Sequence, residues 1–431
     1  MYIDKLQLKN FRCYEQIDVA FHPRFNVFVG VNGTGKTSML EALRIAIGSL
    51  FLGVDKYKEK IASPSILLDD ARLANLEAQY PVVIQAEGVL EAIPDASPYP
   101  IFREQSLDTM EGNARIVWER SLDTRRGNTR SLKAKEIKNY SLQMQKKIRQ
   151  ADTVNIPLVT YYSTDRFKKE RKDYGIEPDG SRLRGYFNAL DPTTNIKFFL
   201  DLYYTETLSV LQQQTTHSAV LEAVNEAVKK CIDCDDLFFD IKLGELLLVQ
   251  RDSHERMPFH LLSDGVRSML ALVMEMAFRC YLLNPHFGKE AALKTTGVVL
   301  LDEIDLHLHP QWQKKVIGDL RSAFPQLQFI VTTHAPLVIG SLNDGKIFSI
   351  KGNDVYDFPL QHGRDANYIL NELGVAEMDE RIKNDLANYY LLIEEGKGGS
   401  TNALALRQEL EELLGIDHTA LQRADMMLSF F

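Results

Sequence analysis

Apolar positions recur along this chain with two periods, and the changes between them mark its elements. Residues 25–29, Phe-Asn-Val-Phe-Val, form a β-prone run that stops at Gly30. After Lys36 the apolar residues fall at Met39, Leu40, Leu43, Ile47 and Leu50, which is helical spacing. A strand, a glycine-rich turn and a helix therefore follow in order. Extended segments are expected over 81–90 and 114–118, with turn residues between them, as an antiparallel sheet beside this unit. Residues 187–230 hold few glycines or prolines and read as helix. Ser263 and Gly265 open a further apolar helix through Leu270, Leu272 and Met276.

Residues 297–301 form an apolar strand, and Pro310 suits a first helical position. The helix it opens carries Trp312, Val316, Ile317, Leu320 and Phe324, and another strand spans 328–333. This βαβ unit implies a parallel core. Past residue 360, Ile382, Leu386, Tyr389, Tyr390 and Ile393 share one helix face. Leu406, Leu410, Leu413 and Leu414 share another, and the glycines at 396–400 supply the turn of an antiparallel helix pair. The expected class is α/β: a P-loop head with an antiparallel β lobe, a helical insertion and a C-terminal helical element. The boundaries read as 1–120 and 256–360 for the two lobes of the head, 121–255 for the insertion and 361–431 for the tail.

At 431 residues and 45% hydrophobic, the chain can bury one large core or two modest ones. A net charge of -9 argues against a protein coated in DNA-binding charge and confines any such contact to a local patch. One stretch qualifies: Arg125, Arg126, Arg130, Lys133, Lys135, Lys138, Lys146, Lys147 and Arg149 are opposed only by Glu136. The start, Met1 to Leu6, lacks a basic segment followed by an apolar run, and nowhere do eighteen apolar residues occur together, so a soluble cytoplasmic protein is expected. Four cysteines make no disulfide framework, and Cys231 with Cys234 lacks the second close pair a zinc site needs.

The candidate chemistry lies at the turns. In Gly30-Val31-Asn32-Gly33-Thr34-Gly35-Lys36-Thr37-Ser38, the glycines let backbone N–H groups converge on a triphosphate. Lys36 would reach the β- and γ-phosphates, and the Thr37 hydroxyl would ligate Mg²⁺. Asp302, ending an apolar strand, would complete the Mg²⁺ shell; Glu303 beside it is suited to polarise the attacking water. His334, after the next strand, is the expected γ-phosphate sensor. Ser263 and Gly265, with Arg267, sit at the positive end of a helix dipole. Asp264 between them must point away from any phosphate, as a cap or toward Arg267.

These four blocks, with Leu262 to Arg267, Val298 to Glu303 and Thr332-Thr333-His334 after the glycine loop, resemble the ATPases of the ABC superfamily. In that superfamily a second subunit closes over the nucleotide, so a homo-oligomer built from head-to-tail dimers or larger assemblies is implied. The usual Leu-Ser-Gly-Gly-Gln is altered here at Asp264 and Val266, which bears on how firmly such a closure holds. His307 and His309 then belong to the loop through which subunits meet rather than to a metal site. The expected glutamine near Tyr161 to Arg166 is missing, and Ser163 or Thr164 stands in its place.

More than two hundred residues separate Thr37 from Ser263, too many for a transporter subunit, and sustained heptads of the SMC kind are absent. The residues after 360 leave little room for an appended nuclease. The wording of 283–285, 297–313, 324–325, 328–336 and 363–367 resembles the ATPases of the Septu anti-phage systems, found also with retrons. That resemblance implies an ATPase using ATP and Mg²⁺ that controls a PtuB-like HNH nuclease subunit acting on DNA. The alternatives are a RecF-like DNA-repair ATPase without a nuclease partner, and a structural oligomer that holds nucleotide and scarcely hydrolyses it.

Overall fold

The structure is a computed structural model that describes residues 1–55, 61–93, 113–164, 181–192, 196–212, 218–373, 380–415 and 419–428. The chain divides into two units, Met1–Ala366 and Asn367–Phe431.

The first unit is built on a six-stranded sheet in the order Asp354–Phe358, Lys346–Lys351, Phe25–Val29, Leu327–Thr332, Gly297–Leu301 and Leu158–Tyr162. All pairings are parallel except that of the Asp354–Phe358 edge strand. Phe25–Val29, Leu158–Tyr162, Gly297–Leu301 and Leu327–Thr332 are buried at every position. Both faces of a parallel sheet are covered by its crossovers, which is why these strands are near-continuous apolar runs, interrupted at Asn26, Thr160, Gln328 and Thr332, rather than alternating ones. The helix Lys36–Ile47 packs on this sheet, burying Met39, Leu40, Leu43 and Ile47.

An antiparallel sheet, Tyr14–Ala20, Tyr2–Phe11, Val82–Glu91 and Asn113–Leu122, lies beside it. Two buried polar ties fix this sheet to the rest of the unit, one to the central sheet and one to the helix Lys36–Ile47. Gln328 accepts from the Ile3 N–H at 2.8 Å and donates to the Ile3 carbonyl at 2.8 Å, and Trp118 donates to the Ala46 carbonyl at 2.9 Å. A third sheet, Cys234–Asp240, Glu245–Gln250 and Arg256–Pro258, feeds into the buried helix Asp264–Leu283.

Several expected elements are subdivided. The helix read over 187–230 is two, Ile196–Gln212 and Ala219–Cys231, preceded by a 3-10 turn at Arg182–Tyr186. That turn ends at Phe187, whose ψ of 120° leaves the helical region, and Asn188 follows with φ of 51°, so it does not run on into the helix. The helix starting at Pro310 stops at Gln313 and restarts as Val316–Ala323, with Phe324 as its non-helical cap. The basic stretch contains the helix Lys135–Arg149, whose Ile137, Tyr140 and Met144 are buried. Cys13, Cys231, Cys234 and Cys280 are all free thiols. Among the described residues no helix is long and apolar enough to cross a membrane.

Among its described residues the second unit holds most of the helix Ala366–Glu372 and, where a pair was expected, three further helices: Glu380–Glu394, Thr401–Leu414 and Thr419–Leu428. Leu386, Tyr389, Ile393, Ala403, Leu410, Leu421 and Ala424 form its own core. The last helix buries Leu421 and Ala424 in that core and packs Ala420 and Met427 against it, too sparse an apolar pattern to stand out beside its neighbours.

Candidate functional site

Three adjacent parallel strands deliver their C-terminal ends to one edge of the central sheet. Phe25–Val29 runs into the glycine loop, Leu327–Thr332 into Thr333 and His334, and Gly297–Leu301 into Asp302. The C-terminal edge of such a sheet is where ligands of open α/β folds bind.

The loop is held from outside as well as by its own turns. Gly33 and Gly35 adopt φ of 83° and 106°, the left-handed region that glycine enters without strain. A Cβ on Gly35 would also lie 2.5 Å from the Cys13 sulfur and 2.9 Å from the Tyr14 oxygen, so no other residue fits. Tyr14 donates its hydroxyl to the Gly35 carbonyl at 3.0 Å, and burial pushes its phenol pKa up, which keeps it a donor. Thr34 closes the turn by donating to the Val31 carbonyl at 2.9 Å, Asn32 is exposed, and Ser38 sits beside Cys13.

Lys36 is only 7% exposed, and its Nζ donates to the carbonyls of Gly30 and Val31 at 2.8 and 3.0 Å. Burial lowers its pKa, while Asp302, Glu303 and Asp305 oppose that shift. Thr37 donates its hydroxyl to Asp302 Oδ2 at 3.0 Å, across a sequence separation of 265. A hydroxyl and a buried carboxylate beside an ammonium form a hard-oxygen donor set of the kind that suits Mg²⁺ with a phosphate.

Asp302 is 2% exposed, and its Oδ1 accepts from the Thr332 hydroxyl at 2.5 Å. Glu303 has φ of 46°, and its N–H donates to the same Thr332 oxygen at 2.8 Å. Thr333 repeats the arrangement one residue on, donating to Asp305 at 2.5 Å and accepting from the Ala335 N–H at 3.0 Å. His334 follows, half-buried. Burial and then Lys36 lower its pKa, against the three carboxylates, so at neutral pH its ring is uncharged.

Ser263 caps the helix Asp264–Leu283, accepting at its carbonyl from the Arg267 N–H at 2.9 Å. The Asp264 carboxylate, 72% exposed, pairs with Arg267, so it turns toward that arginine. Gly265 packs on the 303–307 loop, where a Cβ would stand 2.5 Å from the His307 carbonyl oxygen. Among the described residues no hydrogen bond or ion pair joins Ser263, Gly265 or Arg267 to residues 30–38. One chain thus assembles Lys36, Thr37, Asp302, Glu303 and His334 around the loop and leaves this second cluster apart.

His307 and His309 belong to no metal-holding cluster among the described residues. Ser163 turns its hydroxyl to the Pro192 carbonyl at 2.6 Å, while Asp165 and Arg166 lie outside the described residues. Thr332 and Thr333 entered the sequence reading only as part of the block ending in His334, with no role of their own, and Tyr14 did not enter it. Two adjacent hydroxyls closing a strand just before His334 were the available signal.

The family model of the AAA domain matches residues 5–233, more than half of the chain, and that of the AAA ATPase domain matches 185–339. The chain is similar to the Retron Ec83 probable ATPase of Escherichia coli, 36% identical over 166 residues, covering 37% of this chain and 30% of that protein. It is 24% identical to the Septu protein PtuA of Bacillus thuringiensis over 354 residues, covering 78% and 72% of the two chains. The first curated relatives it matches are spanned over 30%, 50% and 32% of their length. A crystal structure of an SMC head bound to the C-winged helix domain of ScpA aligns with a TM-score of 0.48 at 19% identity, covering 84% of this chain and 98% of that one.

Proposed function

The chain belongs to the AAA-domain family of ATPases, as a PtuA-like ATPase of the SMC and RecF superfamily, and from that membership we propose that it is the ATP-hydrolysing regulatory subunit of an anti-phage defence complex. The observation that carries the reading is the Thr37–Asp302 contact beside Lys36, at the ends of neighbouring strands. Residues 30–38 cradle the triphosphate with backbone N–H groups, and Lys36 exchanges its carbonyl partners for phosphate oxygens. Thr37 and Asp302 would hold Mg²⁺, which would supply charge neutralisation at the phosphates. Glu303 orients and polarises the attacking water, and the neutral imidazole of His334 donates a hydrogen bond toward the γ-phosphate.

The Ser263, Gly265 and Arg267 cluster serves the nucleotide of a second copy, which makes head-to-tail association part of the cycle. The nuclease is a separate HNH subunit, and the 361–431 tail is its docking element or that of another copy. DNA contact falls to a subset of the basic stretch. Arg130, Lys133, Lys147 and Arg149 are engaged by Asp123, Glu119, Asp152 and Asp55. Arg125, Arg126, Lys135, Lys138 and Lys146 are exposed and have no acidic partner among the described residues. Cations of this kind bind phosphate without sequence preference and with strong salt dependence.

The test is purification of the tagged chain from its native cells, with and without ATP, together with Lys36→Ala and Glu303→Gln. A stoichiometric HNH protein, hydrolysis lost in both variants and nucleotide retained by Glu303→Gln are expected. Unchanged hydrolysis in Lys36→Ala would overturn the ATP site. Recovery of self-association and DNA-stimulated hydrolysis with no nuclease would replace the defence reading by a repair ATPase.

A further inference from the structure

We propose that Thr332 is a positioning residue that sets both carboxylates of the hydrolytic site through its single hydroxyl. The inference rests on the ATP-site reading above and concerns how that site is held. Thr332 ends the Leu327–Thr332 strand and is completely buried, so no water competes for its oxygen. A threonine hydroxyl has one proton to give and two lone pairs to receive with. Here the proton goes to Asp302 Oδ1 at 2.5 Å, within the range of a charge-assisted O–H···O⁻ bond. That contact fixes the rotation of the carboxylate and turns Oδ2 to Thr37 at 3.0 Å, the pair assigned to the cation.

A lone pair of the same oxygen receives the Glu303 N–H at 2.8 Å, and the Thr332 carbonyl receives the Ile304 N–H at 3.0 Å. These two bonds tie residues 303 and 304 back to one residue, at the point where the backbone passes through a positive φ at Glu303. Glu303 takes φ of 46°, a conformation that a side-chain-bearing residue keeps only when its surroundings impose it. The direction in which the Glu303 side chain leaves the backbone therefore depends on Thr332. Serine preserves every one of these bonds; valine preserves the shape and removes all that involve the hydroxyl.

The experiment compares Thr332→Val and Thr332→Ser in the full chain by three measurements. These are ADP binding without divalent cation, the Mg²⁺ dependence of ATP-analogue binding by calorimetry, and single-turnover hydrolysis. For Val we expect ADP binding within about threefold of the parent and a Mg²⁺ half-saturation raised about tenfold, with hydrolysis slowed about 10- to 100-fold, the scale of losing a group that orients a metal ligand. Ser should lie within about threefold of the parent in all three. Parent-like Mg²⁺ dependence and hydrolysis in Val overturn the proposal, as do equal losses in Val and Ser, which would assign the effect to packing. Failure of the parent itself to bind ADP would instead overturn the ATP-site reading.

Discussion

Glu275 and Arg279 form an ion pair inside the helix that begins at Asp264, and removing one partner should cost more than removing both. Their side chains are 4% and 2% exposed, with Arg279 Nε and Nη2 at 2.9 and 2.8 Å from Glu275 Oε1. Arg279 Nη1 donates to the carbonyls of Gly185 and Phe187 at 2.7 and 3.1 Å, and the guanidinium stands 5.2 Å from the Phe199 ring centre. Breaking a buried pair costs about 3–5 kcal/mol because it leaves an uncompensated charge. Glu275→Gln keeps an acceptor, so about 3 kcal/mol is expected; Glu275→Leu should approach about 5 kcal/mol. In Arg279→Met the stranded carboxyl can take up a proton instead, and burial already raises the Glu275 pKa. That variant should therefore recover stability as pH falls, whereas Glu275→Leu should not.

The double variant Glu275→Leu/Arg279→Met leaves the two carbonyls without their donor, a cost of about 1–3 kcal/mol. It should unfold at higher urea than Glu275→Leu alone. Trp118 and Trp312 lie in the same unit as the pair and report its unfolding by fluorescence. A loss below about 1 kcal/mol in Glu275→Leu, or a double variant less stable than either single, would refute the reasoning.

Two further outcomes follow from local geometry. Gly265→Ala forces a methyl to 2.5 Å from a backbone oxygen of the 303–307 loop, so hydrolysis should fall by at least about tenfold while ADP binding stays within about threefold; unimpaired turnover would count against that packing. Asp319 has its pKa raised to about 6, chiefly by burial and further by Asp233, against Lys315. The folded chain thus keeps a proton that the unfolded chain releases from about pH 4, a contribution to stability lost as pH rises through about 6. Asp319→Asn should gain about 1 kcal/mol over the parent at pH 8, after discounting for its partial exposure, and almost nothing at pH 4. Equal melting differences at the two pH values would contradict this.

The parts of the site legible in the sequence are those where local pattern and chemistry coincide. Phe25 to Ile47 reads as strand, glycine loop and helix because a short β-prone run, three glycines and helical spacing lie side by side. Asp302 and His334 could be placed because each follows an apolar strand. What holds them there was not legible. The bond from Thr332 to Asp302 spans 30 residues and depends on the parallel register that sets Leu301 opposite Val331, which no local periodicity announces. Tyr14 reaches Gly35 from a strand of the antiparallel sheet, a tertiary contact that no local pattern announces either. In the Lys135–Arg149 helix, Ile137, Tyr140 and Met144 have helical spacing, but the density of cations around them drew the reading toward a charged segment. At Asp264 local reasoning sufficed, since a carboxylate three residues before an arginine on a helix has its partner within reach.

The position of the Phe25–Val29 strand has a consequence for the birth of the protein. Both strands that flank it, Leu327–Thr332 and Lys346–Lys351, are made about 300 residues after it. A ribosome exposes the glycine loop early, yet Asp302, which Thr37 contacts, emerges 265 residues later, and His334 and both sheet neighbours of the loop emerge later still. A chain halted before Asp302 carries the glycine loop without the carboxylates and the histidine proposed to act beside it. The long-range closure of the sheet thus withholds the assembled site until Leu327–Thr332 and Lys346–Lys351 have been made.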